Sequence, residues 1–546
     1  MPYCDDLIAQ SEQLFNKRHS LLSLWQCMAD NFYPERADFT VVRNLGEDFA
    51  SNLSTSYPIM ARRDLGNAIS AMLRPSSKVW FHARTTNYDK LSKDSKAWLE
   101  WASTKMRNAM HDRRSQFARA TKEGDHDFAA FGQCVIQSSL NKDASGLLYR
   151  CWHLRDVAWM ENADGIADTV FRKWKPTARE LSTLFKGKIH AEVTRCLEKE
   201  QYKEFEVHHC IIPVETFHGD KGWKTPYVSI YYDVSNKHIM EEVGLMSQQY
   251  IIPRWSTVSG SQYAYSPATV AALPDARLIQ AMTRVLLDAG EKAVTPPMIA
   301  VQEALRSDVN TFAGGITWVD KNYDERLGEV LRPLTQDKSG LPLGLDMADR
   351  VHRMISEAFF LNKLALPMPG VEMTAYETGQ RVQEYIRQSM PLFEPMESDY
   401  DAPLCENTFE TMLRAGGLGS LHDMPKELLG ADVEFRFESP LHDAVEREKG
   451  QRFLEAKAML ADAVALDPNA AHVVDAVVAL RDVLEGIGVP AKWTRSDDEV
   501  KVRIAAQEQQ QQTAQLLATM QQGADVAKTL GETGAIAPNQ TQGQPY

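Results

Sequence analysis

The sequence predicts an α+β chain that is mainly helical and built from several parts, and three patterns carry that reading. Apolar residues recur at helical spacing at the start of the chain and again over about 266–293 and 346–364. Short segments rich in aromatic and β-branched residues fill about 147–255. The length, 546 residues, exceeds what one small core organises.

In chain order, Leu7, Ile8, Leu14, Leu21, Leu24, Trp25 and Met28 predict one amphipathic helix over about 4–30. "PIMARRDLGNAISAML" predicts a second helix, stopped by Pro75, and "RPSSKVWFHARTT" turns to extended chain. Helical patterns follow over about 94–112 and 115–138. Strands are expected in "LLYRCWHLRDVAWM", "GIADTVFRKWKP", "FEVHHCIIPV", "PYVSIYYDV" and "YIIPRW". Ser266 and Pro267 then form an N-cap and N1 pair, with Pro274 allowing a second start or a kink. The helix they open carries Leu278, Ile279, Met282, Val285, Leu286 and Ala289 on one face. "TPPMIAV" and "GGITWVDKN" predict strands in a compact insertion, after which Asp346 caps a helix with Met347, Val351, Met354, Ile355, Ala358 and Phe359 on one face.

That helix runs into "LALPMPGVEMTAYETGQR", where Pro367, Pro369 and Gly370 end it. Thr374 and Glu377 stand at capping-box spacing and open another helix to about 392. A stiff loop with the apolar Met368, Val371 and Met373 is thus held between two helices. "GGLGS" predicts a turn, "ADVEFRFESP" a strand, and about 441–510 reads as almost wholly helical, broken at Asp467 and Pro468. The glutamine-rich stretch after 505 permits helix, and the last residues, with nothing to bury, are expected to be disordered.

Charge and motifs narrow the chemistry. Sixty Lys and Arg stand against 74 Asp and Glu, a net charge of −14 that argues against an outer surface gripping nucleic acid by counterion release. Seven scattered cysteines without a CxxC pair disfavour a disulfide framework or zinc ribbon. "MPYCDDLIAQ" lacks the basic start and apolar core of a signal peptide, and no apolar run has membrane-spanning length. No GxxxxGK[ST] motif occurs, so a nucleotide-driven motor is not expected.

Three constellations invite chemistry. Asp125, His126 and Asp127 would suit a metal-dependent enzyme, but neighbours on a helix project to different faces, and a solvated helix face is the blander reading. In "VHHC", His208 and Cys210 would share one side of a strand with His209 on the other, a weak metal signal without a second pair. Phe171, Arg172, Lys173, Trp174 and Lys175 interleave aromatics with cations, either as a nucleic-acid stacking platform or as a strand with its aromatics in the core and its cations in water. No catalytic residue, metal or cofactor is expected.

Four stretches in order, "ARRDLGNAISAMLRPSSKVWF", "YAYSPATVAALPDARLIQAMTRVLLDAGEKAVTPP", "LALPMPGVEMTAYETGQR" and "ESPLHDAVEREKGQRFLEAKAMLADA" with "EGIGVPAKWTRSDDEV", resemble the head-to-tail connector, or portal, family of short-tailed bacteriophages. The resemblance implies a ring of about twelve subunits around a DNA channel at a capsid vertex. It implies a mixed α/β wing at 1–260, a first stem helix at 261–294, a clip at 295–345 and a second stem helix at 346–364. A tunnel loop follows at 365–373, comprising Pro367, Met368, Pro369, Gly370, Val371, Glu372 and Met373, with Thr374 and Glu377 capping the helix behind it. The wing returns at 374–440, a helical crown occupies 441–510, and a glutamine-rich tail ends the chain at 511–546. Stem packing falls to Leu278, Met282, Leu286, Val351, Ile355 and Phe359. The implied partners are other copies of the chain, double-stranded DNA, a terminase packaging motor, tail or adaptor proteins at the clip, and capsid and scaffolding proteins, with no membrane. The implied location is the virion, after assembly in the host cytoplasm. The alternatives are a helical adaptor or scaffold that never closes a ring, and the enzyme using Asp125, His126 and Asp127.

Overall fold

Opposite faces of one five-stranded antiparallel sheet explain how the chain begins. The computed structural model describes residues 2–301 with short gaps at 45, 51–52, 77–78, 89–90 and 218–221, and parts of 305–333. It also describes 340–364, 396–420, 423–437, 453–463, 475–486 and isolated positions up to 513. The sheet is a meander of β4 (Val157–Glu161), β5 (Ala167–Trp174), β6 (Val207–Pro213), β7 (Tyr227–Asp233) and β8 (His238–Leu245). Side chains alternate across it, so Trp159, Val170 and Ile211 enter one core while Ala158, Phe171 and Cys210 enter another. α1 (Pro2–Lys17) covers the second face with Cys4, Leu7 and Leu14, and α2 (His19–Phe32) covers the first with Trp25, Met28 and Ala29. The single helix expected over 4–30 is therefore two. The chain must change faces, and it does so at Arg18, whose buried guanidinium donates to the carbonyls of Leu154 and Arg155 in the turn leading into β4.

A second departure follows from one glycine. The helical pattern of 115–138 ends at α5 (Phe117–Phe131), because Gly132 takes a left-handed φ of 72° and the chain turns into β2 (Val135–Leu140). A Cβ at Gly132 would collide with the backbone of Tyr265 and Ser266, so glycine is required both by φ and by space. β2 pairs with β3 (Leu147–Trp152) and with β9 (Tyr250–Ile251). Upstream, α3 (Tyr57–Leu73) packs on α5, with the His126 ring lying where a Cβ on Gly66 would stand. β1 (Phe81–Thr85) pairs antiparallel with β14 (Val433–Phe437), and Phe409 of α11 (Ala402–Arg414) lies against Phe435.

α6 (Ala178–Leu184), α7 (Ala191–Lys199) and β8 are elements the sequence reading omits, although Thr177 and Glu180 form a complete capping box at the start of α6. They enclose a third core around Leu181, Phe185, Val193, Val207 and Met240.

The chain divides into two compact units. The larger comprises 1–86, 102–423 and 432–445, and contains everything above. The smaller comprises 87–101, 424–431 and 446–546. Within it Glu427 accepts hydrogen bonds from the Ser92 backbone N–H and from both the Ser92 and Ser95 hydroxyls, and helix runs over 453–463 and through α12 (Ala476–Gly486).

Candidate functional site: a helical hairpin with an uncovered apolar face

α8 (Pro267–Val294) and α9 (Gly340–Ala358) form an antiparallel hairpin whose two ends live in different surroundings. The base is fixed. Ser266 caps α8 and donates to the Ala129 carbonyl at 2.8 Å, and Thr269 donates to the Ala130 carbonyl at 2.8 Å. Ala268, Ala272 and Ala276 recur every fourth residue, are fully buried, and let α8 lie close to α2 and α5. Gln280 accepts from the Ser54 and Thr55 amides and donates to the Thr55 carbonyl. On the other helix Ala348, Val351, Ile355 and Phe359 are buried, with the Phe359 ring 5.4 Å from that of Phe32.

Past Ile279 the burial stops while the apolar residues continue. Val285 is 65% exposed, and Leu287, Val294, Leu343, Leu345 and Met347 are exposed too. The short ladder of β12 (Met298–Ala300) and β13 (Leu331–Pro333) beyond the hairpin leaves Met298 and Ile299 exposed, and nearby in sequence Trp318 is 66% exposed. Isolated apolar side chains on a surface are ordinary, but a run of this density along one hairpin marks a surface made to be covered.

Of the six residues expected to pack the stem, Val351, Ile355 and Phe359 are buried, and Met282 and Leu286 are half-buried. Leu286 rests where a Cβ on Gly344 would stand, so the two helices come close at that glycine. Leu278 is 45% exposed, which corrects the expected register: the buried stripe of α8 passes through Ala272, Ala276 and Ile279. α9 also begins at Gly340, six residues before Asp346, with Pro342 tolerated in its first turn. Asp346 is an internal residue paired with Arg350 rather than a cap. Pro367, Met368, Pro369, Gly370, Val371, Glu372, Met373, Thr374 and Glu377 lie outside the described residues, as do Asp467 and Pro468.

The acidic cluster on α5 is not a solvated helix face. Asp125 and Asp127 are fully buried, and each is held by an arginine distant in sequence. Arg36 forms a two-pronged pair with Asp127 at 3.1 and 2.7 Å and reaches Glu123 at 2.9 Å. Arg74, directly after α3, bridges Asp125 and Asp401, the latter at 2.6 Å, and lies 4.3 Å above the Tyr400 ring. Asp401 closes a single π-helical turn, Glu397–Asp401, ahead of α11. Two carboxylates thus share one buried cation, and burial pushes the carboxyl of Asp401 up to about 6 and that of Asp125 upward, against the pull of Arg74. His126 points elsewhere, its Nδ1 3.0 Å from an Arg62 nitrogen, and burial followed by Arg62 lowers its pKa to about 4. The three residues therefore diverge into three separate arginine contacts and make no common centre. Among the described residues no group of three His, Cys, Asp or Glu could hold a metal ion.

The other two constellations are likewise structural. His208 meets Ser11 and Tyr232 on one face of β6, while His209 stacks on Tyr231 at 4.0 Å and bonds Tyr250 and Ser229 on the other. Arg172 is not a cation in water: it is buried, its Nε donating to the Tyr250 hydroxyl at 3.0 Å, with the Trp152 ring 3.9 Å away. Lys173 lies over the Phe15 ring. Arg36, Arg62, Arg74 and Asp401 are the partners sequence reasoning missed. Nothing in their local patterns points to them, whereas the fourfold spacing of Ala268, Ala272 and Ala276 is a legible packing signal.

The family model described as "Bacteriophage head to tail connecting protein" matches residues 5–494. The chain belongs to that family. This chain is similar to a "Probable portal protein" of Bordetella phage BPP-1, 26% identical over 552 residues that cover 98% of this chain and 96% of the relative. It is similar also to a "Portal protein" of Salmonella phage epsilon15, 22% identical over 548 residues, again 98% and 96%. A chain from the solved "Virion of native gene transfer agent (GTA) particle" aligns over 79% of this chain and 95% of its own length at 9% identity and a TM-score of 0.34, too low to bear on the fold.

Proposed function

We propose that this chain closes into a ring of identical subunits whose channel passes double-stranded DNA at a capsid vertex, and that the uncovered hairpin face is the seam between neighbouring subunits. The observation that carries the reading is the contrast along one hairpin: a base tied into its own subunit by capping bonds and buried alanines, and a far end equally apolar but exposed. A face longer than its own subunit can cover is satisfied by a neighbour related by rotation. In such an assembly the tip around β12 and β13 would meet tail proteins, residues 365–373 would line the channel, and a packaging motor would dock in turn. The subunit would act as a conduit without turnover, in keeping with the arginine contacts that occupy Asp125, His126 and Asp127.

Val285→Asp and Leu287→Asp test the seam. Twelve chains of 61.5 kDa would give roughly 740 kDa. The variants should stay folded by circular dichroism yet fail to form the ring seen by mass photometry and end-on electron microscopy. Rings that persist in both variants, or isologous dimers as the sole assembled species, would refute the proposal. The double variant Met368→Lys with Val371→Lys tests the channel: rings should remain, and DNA binding should strengthen and steepen in its salt dependence.

A further inference from the structure

Away from the hairpin, a cleft of about 890 Å³ opens between β3, β5 and the overlying α6. Aromatic rings make much of its wall, among them Trp152, Trp174, Phe185 and Tyr231, with Tyr202 exposed at its lip. Beneath them lies Arg172. Its guanidinium sits between tryptophans, 3.9 Å from the Trp152 ring and 5.6 Å from the Trp174 ring, and among the described residues no carboxylate pairs with it and its Nη1 has no hydrogen-bond partner. A buried cation without a counter-ion is costly unless something supplies negative charge nearby.

The rim has the same sign. Arg150 and Arg179 are exposed, and among the described residues neither guanidinium has a hydrogen-bonded or ion-paired partner, that of Arg150 lying 5.9 Å from the Trp152 ring. The two acids of the cleft are already engaged, Glu180 in the capping box with Thr177 and Glu241 with Lys188 at 3.9 Å. A positive, partly apolar hollow on a chain of net charge −14 is a local reversal of the overall field, and concave low-dielectric walls concentrate it. Arginines beside exposed aromatic rings are the side chains that dominate protein recognition, and arginine clusters select acidic segments.

We propose that this cleft binds an acidic peptide segment of a partner protein, with carboxylates on Arg150 and Arg179 and an aromatic side chain against the ring-lined wall. The observations favour a peptide over a nucleic-acid strand. A strand repeats its charge and needs a path of cations leading out of the cleft. At the lip, Tyr202 is instead flanked in sequence by the exposed Glu200 and Glu204 as well as by Lys199 and Lys203, a border of mixed charge rather than a continuing track of cations. The proposal does not depend on ring closure.

Isothermal titration of the full-length chain with the blocked peptide Asp-Glu-Trp-Glu-Asp tests it, beside its neutral counterpart Asn-Gln-Trp-Gln-Asn and a short oligothymidylate. Saturable binding of the acidic peptide is expected, at least about tenfold tighter than the neutral one and weakening between about 50 and 300 mM NaCl. Arg150→Glu and Arg179→Glu, both at exposed positions, should each reduce it by about tenfold with an unchanged melting curve. No saturable binding, equal affinity for the neutral peptide, undiminished binding in both variants, or tighter binding of the oligothymidylate would each overturn the proposal.

Discussion

Replacing Asp401 by asparagine should change how stability depends on pH, with a sign that follows from two carboxylates sharing Arg74. Asp401 is almost fully buried, and its carboxyl is raised from the usual 3.8 to about 6, burial being the larger influence and Arg74 the opposing one. The folded state therefore holds this proton more tightly than the unfolded chain. Stability rises as pH falls below about 6 and levels off below about 4, by ~1.4 kcal/mol per pH unit and ~3 kcal/mol in all. The asparagine variant keeps an oxygen for Arg74, which at 2.6 Å donates to Oδ1 of Asp401, and leaves Asp125 as the sole counter-ion. Near pH 7.5 it loses a charge-assisted bond of about 1.5–3 kcal/mol and is relieved of a similar burial cost, so the two proteins should be close. Near pH 4.5 the wild-type chain should have gained about 2 kcal/mol relative to the variant. Urea unfolding of both unassembled chains, followed by tryptophan fluorescence at each pH, reads this difference, in which groups not coupled to Asp401 cancel. A difference that stays flat from pH 7.5 to 4.5, or one that favours the variant on acidification, would refute the reasoning.

Other expectations follow from the same contacts. Arg74→Met, which strands two buried carboxylates, should destabilise by about 3–5 kcal/mol at neutral pH, readable as a lowered urea midpoint. Gly132→Ala should be far more damaging than Gly165→Ala: both have positive φ, but a Cβ at 132 meets backbone, while nothing lies within 4 Å at 165, so the second should cost only about 1 kcal/mol in a thermal melt. His126 should remain neutral to below about pH 5 in an NMR titration, since its pKa is lowered to about 4. This group loses stability as the unfolded chain takes up a proton below about 6.5, opposite in sign to Asp401. Ile355→Ala, at a fully buried stem position, should cost about 2–5 kcal/mol by urea unfolding.

The local grammar of this chain is legible in its sequence. Ser266 with Pro267, the apolar spacing of α8 and α9, and the β-rich region from 147 to 255 are readable because caps, periodicity and β-branching act over a few residues. Its resemblance to connector proteins was legible in four stretches in order. Features that depend on residues far apart emerge only when the chain packs. Arg18 divides one amphipathic pattern into two helices because the sheet offers two faces, and no local signal says where a chain must cross an edge. Gly132 ends a helix where the backbone of Tyr265 and Ser266 crosses it. Asp125 and Asp127 look solvated in sequence, since charged residues on a helix usually are. Arg74 lies 51 positions from Asp125 and Asp401 lies 327 from Arg74, so whether those carboxylates are buried and paired is settled only when the helices carrying them pack. Burial and ion pairing are properties of positions in space, and a sequence window sees only positions along the chain.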